Sequence, residues 1–529
     1  MRSILFRSGT AEFPTMLKHL ASVGGYTLLS RFTGFASTIV MADVMGAGRL
    51  FDAFSVAFRI PNHFRAIFAE GAFNAAYIPT YARLKAQEGP QAAKHFSSQI
   101  FTLLLVSQLL LLALAWLFMP QVIGLLAPGY DGDPEKFQLA QTMTRITFPY
   151  LACIVLVTLH SATLNANRHF AAAAFASVLL NLSMMACLGL AFLFPNAGIA
   201  ASVGVLISGF LQLGLVMVAA RRAGVLESLA SPRWGSDLKR FFTSLGPNII
   251  ASAGVQIAIF ADTIIASTLA DGGQSSLVFA ERLYQLPIGV IGVAAGTVLL
   301  PEMSRRLATG DATGAARAQN RTLAITLALS APFCVLFLSL PDLVMRVAFV
   351  RGAFTPAHAA AAANVLWAYG FGLLAVVSIR SAIASFQARG NVRTPMFISL
   401  FAVAINVALK LVLIKPFGAS GLAFATAAGA WINLALLLGL SMRAGFFRPD
   451  PHLVKIVASV ANATIWLILL TMLADQPIAE FFTGFGAWSG VLHLGLLGGL
   501  GMALYFGLLL GQMRLLGLSL PAFGRGLRK

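Results

Sequence analysis

Apolar runs close to the twenty or so residues that a bilayer requires recur along the whole chain, about fourteen of them. In lipid, every backbone N–H and C=O must be satisfied within the structure that crosses, and an isolated run of this length does so as a helix. Composition agrees: 58% of the 529 residues are hydrophobic and 11% charged, where a soluble domain carries about 25% charge. The sequence therefore reads as an all-α polytopic membrane protein.

The charges that remain are ordered. The formal net charge of +18 is spread over short clusters between apolar runs, not gathered into a patch, so nucleic acid is not an expected partner. One series of loops holds about 25 Lys and Arg, the alternate series about 5, which places both termini in the cytoplasm. Anionic membrane lipid is the expected contact for most of them. The opening MRSILFRSGTAEFPTML has neither an apolar core nor a small-residue cleavage site, so no removable signal peptide is read. Cys153, Cys187 and Cys334 are far apart inside apolar runs and point to neither a disulfide framework nor a metal.

Sliding the chain on itself by roughly 226 positions aligns Gly46 with Gly272 and Pro61 with Pro287. A shift of roughly 225 aligns Asn181 with Asn406. An offset spanning an even number of helices implies parallel repeats. The expected organisation is an N-terminal lobe 1–222 of six helices, a cytoplasmic linker 223–238, a C-terminal lobe 239–444 of six more, and a final segment 445–529 with two extra helices and a cytoplasmic tail. Residues 82–95 and 304–318 are expected as equivalent surface helices of the two lobes.

Against this apolar background stands Ser30–Tyr81, which carries Arg31, Arg59, Arg65 and Glu70, with Pro61-Asn62 expected to interrupt its second helix. An arginine at the centre of a bilayer helix costs roughly 2.5–3.5 kcal/mol on the insertion scale. Repeated acceptance of that cost implies a water-filled interior. Arg282, in AERLYQLP, precedes Pro287 in the corresponding place of the second repeat. Guanidinium binds phosphate bidentately and keeps its charge, so Arg31, Arg65 and Arg282 favour a phosphate or pyrophosphate ligand. Glu281 is not expected to neutralise Arg282, because neighbours on a helix point apart. Asp52 opens the second helix, either as a cap at the positive dipole end or as a gating residue. Asn62 and Glu70 are expected to satisfy backbone freed by Pro61 or to hold the arginines. Asp262 and Lys410, with Asn406 one turn from the lysine, form a second set of intramembrane charges, either an ion pair or a coupling site. His19 and His160 read as packed polar residues. There is no G-x-x-x-x-G-K-[ST] loop, no paired-carboxylate or nucleophile constellation and no metal cluster, so neither an enzyme nor a cofactor is expected.

SRFTGF, FDAFSVAFRIPNHFRAIFAEGAFNAAYIPTY and FAERLYQLPIGVIGVAAGTVLLP resemble the MurJ (MviN) family of lipid II flippases, relatives of the MATE exporters in the MOP superfamily. The resemblance covers essentially the whole chain. It implies transport of lipid II, an undecaprenyl-pyrophosphate-linked peptidoglycan precursor, from the cytoplasmic to the periplasmic leaflet of the bacterial inner membrane. It also implies alternating access through a cationic cavity, and association with a cell-wall synthesis complex. By position in these motifs, the family's cavity arginines match Arg31, Arg65 and Arg282, and Asp52, Asn62 and Glu70 match as well. The last two helices would form a groove for the lipid tail. One departure stands in SRFTGF-A-Ser37-Thr38: the family commonly has Arg-Asp where this chain has Ser37-Thr38. The alternatives are a MATE-like cation-coupled exporter, which would want acidic and aromatic cavity residues, a flippase for another polyprenyl-pyrophosphate-linked glycan, or a non-transporting scaffold.

Overall fold

The computed structural model describes residues 12–69 and 72–517. They form helices and the turns between them, and the only strand-like feature among the described residues is a bridge between Arg351 and Phe354. Contacts divide the chain into two compact units, Met1–Gly272 and Gly273–Lys529. The first contains α1 (Glu12–Met45), α2 (Arg49–Ala69), α3 (Ala72–Gln87), α4 (Pro90–Leu117), α5 (Met119–Leu126), α6 (Pro134–Thr147), α7 (Pro149–Ala166), α8 (Ala171–Gly189), α9 (Ala197–Arg222) and α10 (Ser236–Ser267). The second contains α11 (Gly273–Pro287), α12 (Val293–Ala308), α13 (Ala312–Ser339), α14 (Pro341–Phe349), α15 (Pro356–Gly370), α16 (Leu373–Gln387), α17 (Arg393–Arg443), α18 (Pro451–Phe482) and α19 (Ser489–Leu515).

The order of elements repeats. Pro90 and Ala312 open α4 and α13, Pro134 and Pro356 open α6 and α15, and Ala171 and Arg393 open α8 and α17, each pair 222 positions apart. Several starts are set locally. Proline occupies the first turn of α4, α6, α14, α15 and α18, where its missing N–H costs nothing. Asp133, Asp311, Thr355 and Asp450 cap their helices by accepting a backbone N–H from the first turn. α10 is the counterpart of α1, yet it packs in the first unit, where its Leu238 and Phe241 join Phe73, Tyr77 and Phe96 in one buried cluster. Residues 236–238 of the expected linker are already helix.

Among the described residues, nine helical stretches are long and apolar enough to cross a membrane. The longest contain more than one crossing. α17 runs for 51 residues, but Gly418 inside it sits at φ 54°, ψ −132°, a conformation open essentially to glycine alone, and the chain turns there. Gly486 (φ 55°, ψ −128°) turns α18 into α19 in the same way. These last two helices pack on α13 through a cluster including Leu323, Ala328, Val460, Leu467 and Leu509, and the Tyr505 hydroxyl donates to the Ala328 carbonyl at 2.8 Å. In the first unit, small residues set the spacing. A Cβ on Gly204 would lie 2.9 Å from the Met184 Cα, and one on Gly209 would lie 2.9 Å from the Tyr150 ring, so α9 can lie directly on α8 and α7.

Two expectations need correction. Pro61 does not interrupt its helix: α2 continues through it to Ala69. Proline leaves the carbonyl four residues earlier without its helical donor. That carbonyl, on Ala57, accepts the Thr147 hydroxyl of α6 at 2.9 Å, so the helix survives. Nor do 82–95 and 304–318 form separate surface helices. α3 runs on to Gln87 and α4 begins after the left-handed Gly89, while α12 reaches Ala308 and α13 begins after Gly310. In the second unit Pro287 does mark an irregularity, a π-helical turn over Ile288–Gly292 that carries α11 into α12. Such insertions are frequent at functional sites.

Candidate functional site

Arg31 lies on α1, and its side chain is uncovered by protein and makes no ion pair among the described residues. The segment around it is fixed from α8, where Asn181 Nδ2 donates to the Ser30 carbonyl and the Thr33 hydroxyl, each at 3.3 Å. One turn further along, Ser37 and Thr38 are fully buried. Thr38 donates to the Gly34 carbonyl at 3.0 Å, while Ser37 Oγ has no partner among the described residues. Both positions are thus closed into packing between helices. Arg65 belongs to α2, but its side chain lies outside the described residues, as does Glu70 altogether. Asn62 is partly buried.

Arg59 is half-buried and donates to the Thr263 hydroxyl of α10 at 3.0 Å, beside Asp262. It leads to a charge cluster at the turns that follow α1, α5 and α10. Asp52 is completely buried and accepts the Lys136 ammonium at 3.1 Å and the Gly272 N–H at 2.9 Å. Lys136 also reaches Asp271 at 2.8 Å and stands over the Tyr130 ring, 4.5 Å from its centroid. Arg49 closes the cluster by contacting Asp271 at 3.1 Å, Asp133 at 2.9 Å and Glu135 at 2.7 Å. The Lys136 bond holds the Asp271 carboxyl below its ordinary range; partial burial opposes the shift and Arg49 adds to it. Asp52 therefore does more than cap α2. It ties the start of α2 to α6 and to the last turn of the first unit.

With one exception, nothing in the sequence marks Lys136, Asp271 or Arg49 as more than a charge between apolar runs. One signal was available for Lys136: it occupies the first turn of α6, where the helix dipole disfavours a cation, so a lysine there implies acidic partners.

In the second unit Arg282 projects from α11 and its side chain is solvent-accessible. Glu281 instead accepts the Gln285 side chain one turn on, at 2.7 Å, and Arg282 has no ion pair among the described residues. Beside it, the buried Tyr284 ring stacks on Tyr369 of α15 at 4.9 Å. Lys410 is buried in α17. Asn406, one turn before it, packs against Gly429 on the returning arm of the same hairpin, and its Oδ1 is buried without a partner among the described residues. Asp262 of the first unit is partly buried. No group of three or more His, Cys, Asp or Glu side chains among the described residues could hold a metal.

Two solvent-accessible guanidiniums without an ion pair among the described residues are equipped to bind an anion. The family model described as lipid II flippase MurJ matches residues 41–492. The chain belongs to the MurJ family. A Rhizobium meliloti protein named "Probable lipid II flippase MurJ" is 40% identical over 467 residues, covering 87% of each chain. A solved lipid II flippase MurJ in an inward closed conformation superposes with a TM-score of 0.78 at 23% identity, over 93% of this chain and 99% of that one. An inward-facing MATE multidrug transporter of the MOP superfamily superposes at 0.67 with 14% identity, over 79% and 95%. The MurJ fold thus extends across both units, and the chain is a multi-pass membrane protein built like MOP superfamily transporters.

Proposed function

We propose that this MurJ-family protein is a flippase that carries lipid II from the cytoplasmic to the periplasmic leaflet of the inner membrane. It is a transporter and not an enzyme. The observation that supports the reading is the pair Arg31 and Arg282: both side chains are solvent-accessible, on α1 and α11, and neither has an ion pair among the described residues. With Arg65, they bind the pyrophosphate bidentately, and the protein exposes that site to one side of the membrane and then the other by alternating access. The two termini and residues 223–235 lie in the cytoplasm, and the cluster around Asp52 and Lys136 lies on the periplasmic side. Moving the charged headgroup makes the step sensitive to membrane potential, by about 2.3 kcal/mol per charge per 100 mV. Asp262 and Lys410, supported by Asn406, serve that cycle as ion-coupling or structural charges. The polyprenyl tail stays in lipid along α18 and α19, and cell-wall synthesis enzymes are the expected neighbours.

Depletion of the protein followed by an assay of which leaflet holds lipid II tests the reading directly. Accumulation in the cytoplasmic leaflet is the expected result. In the same assay Arg31→Ala, Arg65→Ala and Arg282→Ala should each abolish flipping while insertion is unchanged. Full complementation by all three would overturn the cationic site. Asp262→Asn and Lys410→Met should each impair transport or folding; if both are silent, these charges have no part in the cycle.

A further inference from the structure

Residues 225–231 connect α9 to α10, and the sequence reads them as a loop on the cytoplasmic surface. The structure makes them a strap. The Ser228 N–H donates to Ser98 Oγ at 3.1 Å and the Ala230 N–H to Thr102 Oγ1 at 3.0 Å, while Gln99 Nε2 reaches the Ser231 carbonyl at 3.5 Å. Positions one turn apart on α4, Ser98 with Gln99 and then Thr102, therefore hold the strap backbone in register. Leu229 points out and is exposed, but Glu227 turns inward until its side chain is completely covered.

A buried carboxylate is costly unless it is fully bonded, and this one is well supplied. It accepts Ser97 Oγ at 2.7 Å, Thr163 Oγ1 at 2.5 Å and His160 Nδ1 at 2.6 Å. Tyr77 of α3 bridges the same hydroxyls, 2.6 Å from Ser97 and 2.7 Å from Thr163. The other nitrogen of His160 is buried without a partner among the described residues, so the carboxylate is the ring's one hydrogen-bond partner there, while its face packs near Phe101. The titratable groups around Glu227 are Tyr77 and Tyr81 of α3, His160 of α7 and, through Gln99, His95 of α4. At the base of α3 and α10, Arg83 and Asp237 pair with each other. Nothing in the transport reading uses this network.

We propose that Glu227 is a latch that fastens the connecting strap into the first unit and, through Ser97, Thr163 and Tyr77, positions α3. The proposal does not depend on the identity of the substrate. With the latch closed, the adjoining ends of α3, α4, α7, α9 and α10 form one body, and the strap is not a free tether. Burial alone would push the Glu227 carboxyl up, but the bonds from His160, Thr163 and Ser97 outweigh it and hold the group below its ordinary range. A carboxyl lowered in the folded state stabilises above its unfolded pKa and loses that contribution as pH falls through the folded value. The strap should therefore be held throughout the neutral range and released only in acid, below the ordinary carboxylate range.

Hydrogen exchange on the full-length protein in lipid nanodiscs, corrected for the intrinsic pH dependence of exchange, reads the latch locally. Glu227→Gln keeps the shape and removes the charge. Exchange over 225–231 and in α3 should then rise by about tenfold or more, as expected when charge-assisted bonds are lost, while α18 and α19 stay as in wild type. In the wild-type protein, acid should release the strap before it affects α18 and α19. A Glu227→Gln strap as protected as wild type would overturn the proposal, and so would a wild-type strap that opens only together with α18 and α19. If Glu227→Gln cannot be purified folded, the wild-type acid titration decides alone.

Discussion

Lys136 and Asp52 form a buried ion pair of the first unit, 3.1 Å apart. Their side chains are 5% and 1% exposed, so neither can be rehydrated if the other is removed. Breaking a buried pair from one side typically costs about 3–5 kcal/mol, because the remaining charge is stranded. Lys136→Met should lower stability by that order, read as thermal unfolding of the purified protein in detergent. Asp271→Asn, at a side chain 45% exposed, should cost less than about 1 kcal/mol. The double variant Asp52→Asn with Lys136→Met should recover much of the loss. If Lys136→Met alone is as stable as wild type, the cluster is not the structural tie described above. The sequence held a hint of this in the misfit of a lysine at a helix start. It could not show Asp271, which belongs to another turn 135 positions away.

At the scale of the element, α2 shows why a proline in a sequence does not locate a helix break. Pro61 removes the donor for the Ala57 carbonyl, and whether the helix fails depends on what else can reach that oxygen. Here it is Thr147, on α6, a partner no local pattern discloses. Thr147→Val should leave the carbonyl unsatisfied and cost about 1–3 kcal/mol. Pro61→Ala restores the main-chain donor, so the same Thr147→Val change made in that background should cost little. A double-mutant cycle on thermal unfolding checks this; equal costs in both backgrounds would show that the hydroxyl acts elsewhere. The same contrast separates what was legible from what was not. Hydrophobic run lengths disclosed the helices and the repeat disclosed the equivalence of Pro61 and Pro287. Only the structure shows a continuous helix at one and a π turn at the other, and only the structure turns the 223–235 segment into a strap with Glu227 inside it.

For the whole molecule, the family was legible because motifs such as SRFTGF and FAERLYQLP resemble it, and the arginine-bearing helices because a charge stands out against apolar neighbours. The charge partners were not, because they sit in turns whose basic residues also serve to orient the chain. That orientation is itself open to test. The loop between α9 and α10 and the turn between α18 and α19 belong to opposite charge series, so they should face opposite sides of the membrane. Trp234 is largely exposed, and a Cβ on Gly484 would meet open space, so a cysteine at either place should be accessible, at the cost in the first case of the Trp234 stack on Phe242. The background is low, since Cys153 and Cys187 are buried and Cys334 is partly buried. A membrane-impermeant maleimide added to cells with a permeabilised outer membrane and an intact inner membrane should label Gly484→Cys. Trp234→Cys should react only once the inner membrane is opened as well. Labelling of Trp234→Cys from the periplasm would invert the topology and place the cluster around Asp52 and Lys136 on the cytoplasmic side.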